Sequence, residues 1–113
     1  MKPATPRKVE NYLNVDRKDI FQEWQEGLTD VRAQVLIDKT ISKVRLGNLG
    51  DHKSVGDGVQ EIRLDYGPGY RIYLGEHGSV LVILLGGGTK KRQQQGIDQA
   101  KRNWEDWKER TLR

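Results

Sequence analysis

Val59-Gln60-Glu61-Ile62-Arg63-Leu64-Asp65-Tyr66, the turn Gly67-Pro68-Gly69, and Tyr70-Arg71-Ile72-Tyr73-Leu74 decide the fold. In the first stretch Ile62, Leu64 and Tyr66 share one face of an extended chain, and Glu61 and Arg63 share the other. In the second, Tyr70, Ile72 and Leu74 oppose Arg71 and Tyr73. Gly67-Pro68-Gly69-Tyr70 places Pro and Gly in the middle of a type II turn. The expected unit is a β-hairpin whose second face carries arginine and tyrosine. Glu76-His77-Gly78 then turns the chain into Val80–Leu85, a run that is apolar on both sides. Such a run predicts a central strand covered on both faces. Upstream, Gly47 to Gly58 reads as a glycine-rich loop holding Lys53.

Helical signals flank this core. Val9–Val15 reads as extended. Asp16 or Asp19 is placed to cap a helix over Ile20–Gly27, with Ile20, Phe21, Trp24 and Leu28 as its apolar contacts. Thr29 is placed to cap a second helix, with Asp30 in its first turn. Val31, Val35, Ile37, Ile41 and Val44 give that helix a broad apolar face. The short connection predicts an antiparallel pair. A last helix begins near Gln93 or Ile97 and carries Ile97, Ala100, Trp104 and Trp107 at helical spacing. Gly96 costs ~1 kcal/mol inside a helix relative to Ala, so it is a candidate start. The tryptophan stripe packs on the sheet or on a partner. A small domain needs buried area, which favours the sheet. The expectation is one α+β domain over residues 1–113: a small antiparallel sheet, an N-terminal helical hairpin and a C-terminal helix.

Composition limits the chemistry. The 113 residues are 35% hydrophobic and 32% charged, with no cysteine. Disulfides, thiolate metal sites and a cysteine nucleophile are therefore excluded. The polar start Met1-Lys2-Pro3-Ala4 and the shortness of the longest apolar run predict a soluble, unexported, cytoplasmic protein that does not engage a membrane. The net charge of +4 is local. Residues 1–88 hold 12 basic and 12 acidic side chains, whereas residues 89–113, from Thr89 to Arg113, hold eight and four. A local basic excess suits a polyanion or an acidic protein; it equally describes a solvated helix face.

Common catalytic sets are absent. His52 and His77 lie in loops, and no nucleophile elbow surrounds Ser54 or Ser79. Gly86-Gly87-Gly88-Thr89-Lys90 lacks the spacing of a phosphate loop. No metal or other cofactor is expected. The remaining candidates are cations and phenols. The hairpin puts Arg63, Arg71 and Tyr73 on one sheet face. Lys53 precedes the first strand and Lys90 follows the last, and loop ends around a sheet can reach one groove. Arginine, lysine and tyrosine together suit single-stranded RNA: guanidinium groups grip phosphate and phenols stack on bases. Any half-exposed strand, however, also shows polar residues opposite its apolar face.

These segments stand in a recognisable order: Trp24…Leu28-Thr29-Asp30, Gly47 through Gly56, Gly58 through Arg63, Gly67-Pro68-Gly69-Tyr70-Arg71-Ile72-Tyr73, and Leu84 through Lys90 with Gln93. The chain resembles the RelE/ParE superfamily of toxins, in its HigB-like addiction-module killer-protein branch, over roughly residues 8–100. The resemblance implies the toxin of a type II toxin–antitoxin pair, with a helix-turn-helix antitoxin that neutralises it and represses the shared operon. RelE-type members cut messenger RNA on the ribosome; ParE-type members poison DNA gyrase. Residue by residue it implies site roles for Lys53, Arg63, Arg71, Lys90 and Gln93. Tyr70, Tyr73, Lys91 and Arg92 are expected to contact the RNA around them. Two positions depart from the family pattern: Thr89, where an acidic residue is common, and Gly96, where an aspartate is usual.

The expected reaction needs a base for the 2′-hydroxyl, charge stabilisation at phosphorus and an acid for the leaving 5′-oxygen. Lysine, with an ordinary pKa of ~10.4, becomes a better base beside other cations. Lys53 is expected to be that base, Arg63 and Arg71 the stabilisers, and Lys90 the acid or a second clamp. Because ParE-type members tend to lack the full basic set, cleavage is preferred over gyrase poisoning. A third reading is a basic domain that only docks an acidic antitoxin segment.

Overall fold

The alternation at 59–64 and 70–74 becomes a hairpin in the computed structural model, which describes residues 5–112. The polar start at residues 1–4 and Arg113 lie outside the described residues. The elements are β1 (Lys8–Asn11), α1 (Ile20–Glu26), α2 (Val31–Arg45), β2 (His52–Gly56), β3 (Val59–Leu64), β4 (Tyr70–His77), β5 (Leu81–Thr89), a 3-10 turn (Lys90–Arg92) and α3 (Gln93–Thr111). The protein is an α+β fold. The strands form one five-stranded sheet in the order β1-β5-β4-β3-β2. β2 through β5 run antiparallel as a meander, and β1 joins β5 in parallel.

The sheet has a helical layer on each face. Phe21 of α1 and Ile37, Ile41 and Val44 of α2 pack on Ile62, Ile72, Leu74, Val82 and Leu84. On the other face Ala100 and Trp104 of α3 pack with Val59, Tyr73, Ile83, Leu85 and Tyr12. This double cover explains why 82–85 is apolar on both sides. Trp104 is buried, so the sheet claims it, and Trp107 stacks on it with ring centroids 5.1 Å apart.

Several boundaries differ from the sequence reading. The glycine-rich 47–58 segment is half strand: β2 forms over His52–Gly56, so Lys53 lies on an edge strand and not in a loop. Its exposure hides the alternation that marks a strand. The first strand is shorter than Val9–Val15 and parallel to its neighbour. Asp19 caps α1 by accepting from the Gln22 amide, and Asp30, not Thr29, caps α2 by accepting from Arg32 and Ala33. Val31 and Val35 are exposed; the buried stripe of α2 is Ala33, Ile37, Ile41 and Val44. The hairpin turn closes one residue early, with the Gly69 amide donating to the Tyr66 carbonyl and Gly67 at φ 55°.

Glycines admit the aromatic rings. At Gly75 a Cβ would stand 2.5 Å from the Trp104 ring, and at Gly96 it would stand 2.8 Å from the Tyr73 ring. Gly96 therefore lies inside α3, because a side chain there would collide with Tyr73. The ring contact outweighs the helix-propensity cost of ~1 kcal/mol. Gly75→Ala is expected to lower stability by about 1–3 kcal/mol through overpacking, readable as a fall in the urea midpoint.

A polar tie fixes α3 to the N-terminal segment. The Tyr12 hydroxyl donates to Asp106 Oδ2 at 2.6 Å, and Arg110 reaches both Asp106 and the Leu13 carbonyl. Burial, and next the Asp106 carboxylate, push the Tyr12 phenol up to about 12. An unfolded tyrosine titrates near ~10. The folded value is the higher, so this tie is fully present below pH ~10 and is lost as pH rises through 12. Urea unfolding between pH 9 and 12 is expected to show that decline, and Tyr12→Phe is expected to flatten it.

Candidate functional site: a cation cluster around a buried glutamate

The strand register decides which predicted residues meet. Glu61 pairs with Lys53 on one side and Tyr73 on the other, and Arg63 pairs with Arg71 and, one strand further, Gly88. Directly paired residues point to the same face. Lys53, Glu61, Arg63, Arg71 and Tyr73 therefore share the α3 face of the sheet. Lys90 joins them from the 3-10 turn, where its amide donates to the Gly69 carbonyl at 2.7 Å. Arg63, Arg71 and Lys90 line a cavity of about 200 Å³ together with Asp51, Leu64, Asp65 and Gly69. Lys53 is exposed and does not line it; it stands beside it on the edge strand.

The residue that organises the cluster is Glu61, to which the sequence reading assigned no role. It is fully buried. Gln93 Nε2 donates to both carboxylate oxygens at 3.0 Å. Arg63 Nε stands 3.4 Å and Arg71 Nε 3.9 Å from Oε1. Both Nε atoms are buried without a hydrogen-bond partner, so these are charge contacts and not formed hydrogen bonds. Arg71 is buried, and its Nη1 donates to the Tyr70 carbonyl at 3.1 Å. The arginines thus turn Nε on Glu61, and both residues line the cavity. Glu61, Asp51 and Asp65 match Arg63, Arg71 and Lys90 in number. The cavity is a fixed dipolar site and not a large positive field.

Gln93 serves as a strut for Glu61 from the first residue of α3. The two tyrosines also differ from expectation. Tyr70 is 6% exposed, on the apolar face between Trp24 and Tyr66. Tyr73 is 1% exposed under α3, its hydroxyl 3.4 Å from the Gln93 carbonyl. Neither ring has a free face for a base to stack on, which corrects the stacking role expected of both. Burial first, and then Glu61, hold the Tyr73 phenol far above its ordinary value, so it stays protonated and is no base at neutral pH. Lys91 and Arg92 are exposed on the turn after Lys90. Thr89 ends β5 in extended conformation beside them.

Among the described residues, no group of three or more His, Cys, Asp or Glu side chains is placed to hold a metal ion. No described helix is long and apolar enough to cross a membrane. A larger cleft of about 470 Å³ opens between α1, α2 and the sheet; its amide-rich lining contains none of the predicted residues.

The fold and site define an α+β sheet domain whose α3 face carries arginines and a lysine around one buried carboxylate. No family model matches the chain. It is 48% identical over 81 residues to a protein of Haemophilus influenzae named "Uncharacterized protein"; the match spans 72% of this chain and 82% of that one. The chain belongs to the same family as that protein.

Proposed function

We propose that this protein is the toxin of a type II toxin–antitoxin pair, of the RelE/ParE superfamily and its HigB-like branch, and that it cuts messenger RNA without a metal. The observation that carries the reading is the convergence of Arg63, Arg71 and Lys90 on one small cavity, with Lys53 beside it on the same sheet face. In the proposed reaction Lys53 takes the 2′-hydroxyl proton. The 2′-oxygen bonds to phosphorus and the bond to the 5′-oxygen breaks. The Lys90 ammonium protonates that oxygen, which leaves a 2′,3′-cyclic phosphate and a 5′-hydroxyl. Arg63 and Arg71 hold the charge that develops on the phosphoryl oxygens; Glu61 and Gln93 position them.

Acid–base assistance of this kind is worth ~10²–10⁴-fold, so a substrate positioned by the ribosome suits the site. The place of action is the cytoplasm. The partners are messenger RNA, the ribosome and a cognate helix-turn-helix antitoxin, with operator DNA reached only through that antitoxin. Induction of the chain alone is expected to arrest growth and cut messenger within minutes; arrest with intact messenger contradicts the reading. The matched charges and the burial of Arg71 favour one alternative, a binder without catalysis such as a ParE-like gyrase poison. A supercoiling assay separates the two.

A further inference from the structure

β1 ends opposite Leu84, and among the described residues no strand covers the outer side of β5 from Leu85 to Thr89. At that gap the structure opens a groove of about 660 Å³. Its floor is Gly87-Gly88-Thr89. One wall is the partly exposed indole of Trp24, which also contacts Phe21 and Tyr70. The other wall is Arg92, at the end of the 3-10 turn, and a stripe of α3: Gln95, Gln99 and Arg102. Arg102 and Arg92 are exposed, and Arg102 Nη2 donates to Gln99 at 2.9 Å. No carboxylate lines this groove, unlike the Arg63–Arg71–Lys90 cavity.

We propose that this groove is a second subsite for single-stranded RNA, seating nucleotides that flank the cut. A base packs against Trp24, glutamine amides meet base edges, and the phosphates lie on Arg92 and Arg102. The assignment rests on the reading of the cationic cavity as an RNA site. The two are joined by Lys90-Lys91-Arg92, a turn rising ~2 Å per residue, so they are separated by about one or two nucleotides. An acidic peptide strand fits less well. Trp24 packs where any side chain at Gly87 would stand, so a strand added beside β5 would have to seat its own side chains against that ring. This subsite would also supply the aromatic platform that the buried Tyr70 and Tyr73 do not.

The test is binding of a labelled 2′-O-methyl RNA hexanucleotide, which the proposed reaction cannot cut, followed by fluorescence anisotropy. Arg102→Glu is expected to weaken binding about 10-fold or more and to reduce the salt slope by about one. Gly88→Leu, whose side chain enters open space, is expected to weaken binding without changing charge. Lys8→Glu, at the opposite end of β5, is expected to bind like wild type. Melting curves confirm that each variant is folded. Wild-type affinity in both Arg102→Glu and Gly88→Leu overturns the groove; if Arg71→Ala then still loses binding, the cavity reading stands. Weakened binding in the two groove variants from a protein that cuts no messenger upholds the groove and refutes cleavage. No RNA binding by wild type, or binding of hexaglutamate in its place, overturns the proposal.

Discussion

Glu61→Ala is expected to lower the unfolding free energy by about 3–5 kcal/mol, the usual loss when one member of a buried charge pair is removed. The carboxylate is fully buried and receives Gln93 Nε2 on both oxygens, with two arginine Nε atoms turned on it. Removing it leaves the buried Arg71 without the carboxylate its Nε faces, and leaves the Gln93 amide without its acceptor. A domain of this size has only about 5–15 kcal/mol of stability, so the variant should melt well below wild type. Glu61→Gln keeps the shape and one acceptor, and should lose less. Urea midpoints at pH 7 read both. A Glu61→Ala protein within about 0.5 kcal/mol of wild type, the range of an ordinary surface substitution, would show that the carboxylate does not hold the cluster.

Arg71→Ala should have the largest effect on activity. Loss of a preorganised donor at a developing negative charge costs about 10²–10³ in rate. Because Arg71 is buried, stability will also fall, and the rate loss alone does not separate the two roles. Arg71→Lys separates them. Lysine keeps the charge that answers Glu61 but lacks the planar fork that can hold Glu61 and a phosphate at once. It is expected to recover most of the stability and little of the rate, read as single-turnover cleavage of ribosome-bound messenger. Wild-type rates from Arg71→Lys would reduce the arginine to a counter-ion for Glu61.

Much of the sheet was legible because its two central strands alternate. Ile62 and Leu64, and Ile72 and Leu74, mark one face, and the doubly apolar 82–85 run requires helices on both sides. That pattern also brought Arg63 and Arg71 into register. Four things were not legible. β2 is an exposed edge strand, and His52-Lys53-Ser54 shows no apolar alternation to announce it. Glu61 lies on the polar face by pattern, and only the cover from α3 makes that position buried; the clue was an acid flanked by two arginines in the predicted hairpin. Tyr73 lies on the same nominally polar face and is buried for the same reason. Gly96, poor in a helix by propensity, sits in the first turn of α3, where Tyr73 needs the room.

Cleavage by the lysines and arginines is read in the ends of the cut RNA. The purified protein, incubated with ribosomes programmed with a defined messenger, is expected to leave 2′,3′-cyclic phosphate and 5′-hydroxyl ends. Lys53→Ala and Lys90→Ala proteins are expected to leave few of either. Intact messenger under wild-type protein, or cut ends that persist at the wild-type rate in those two variants, would rule out cleavage by Lys53 and Lys90.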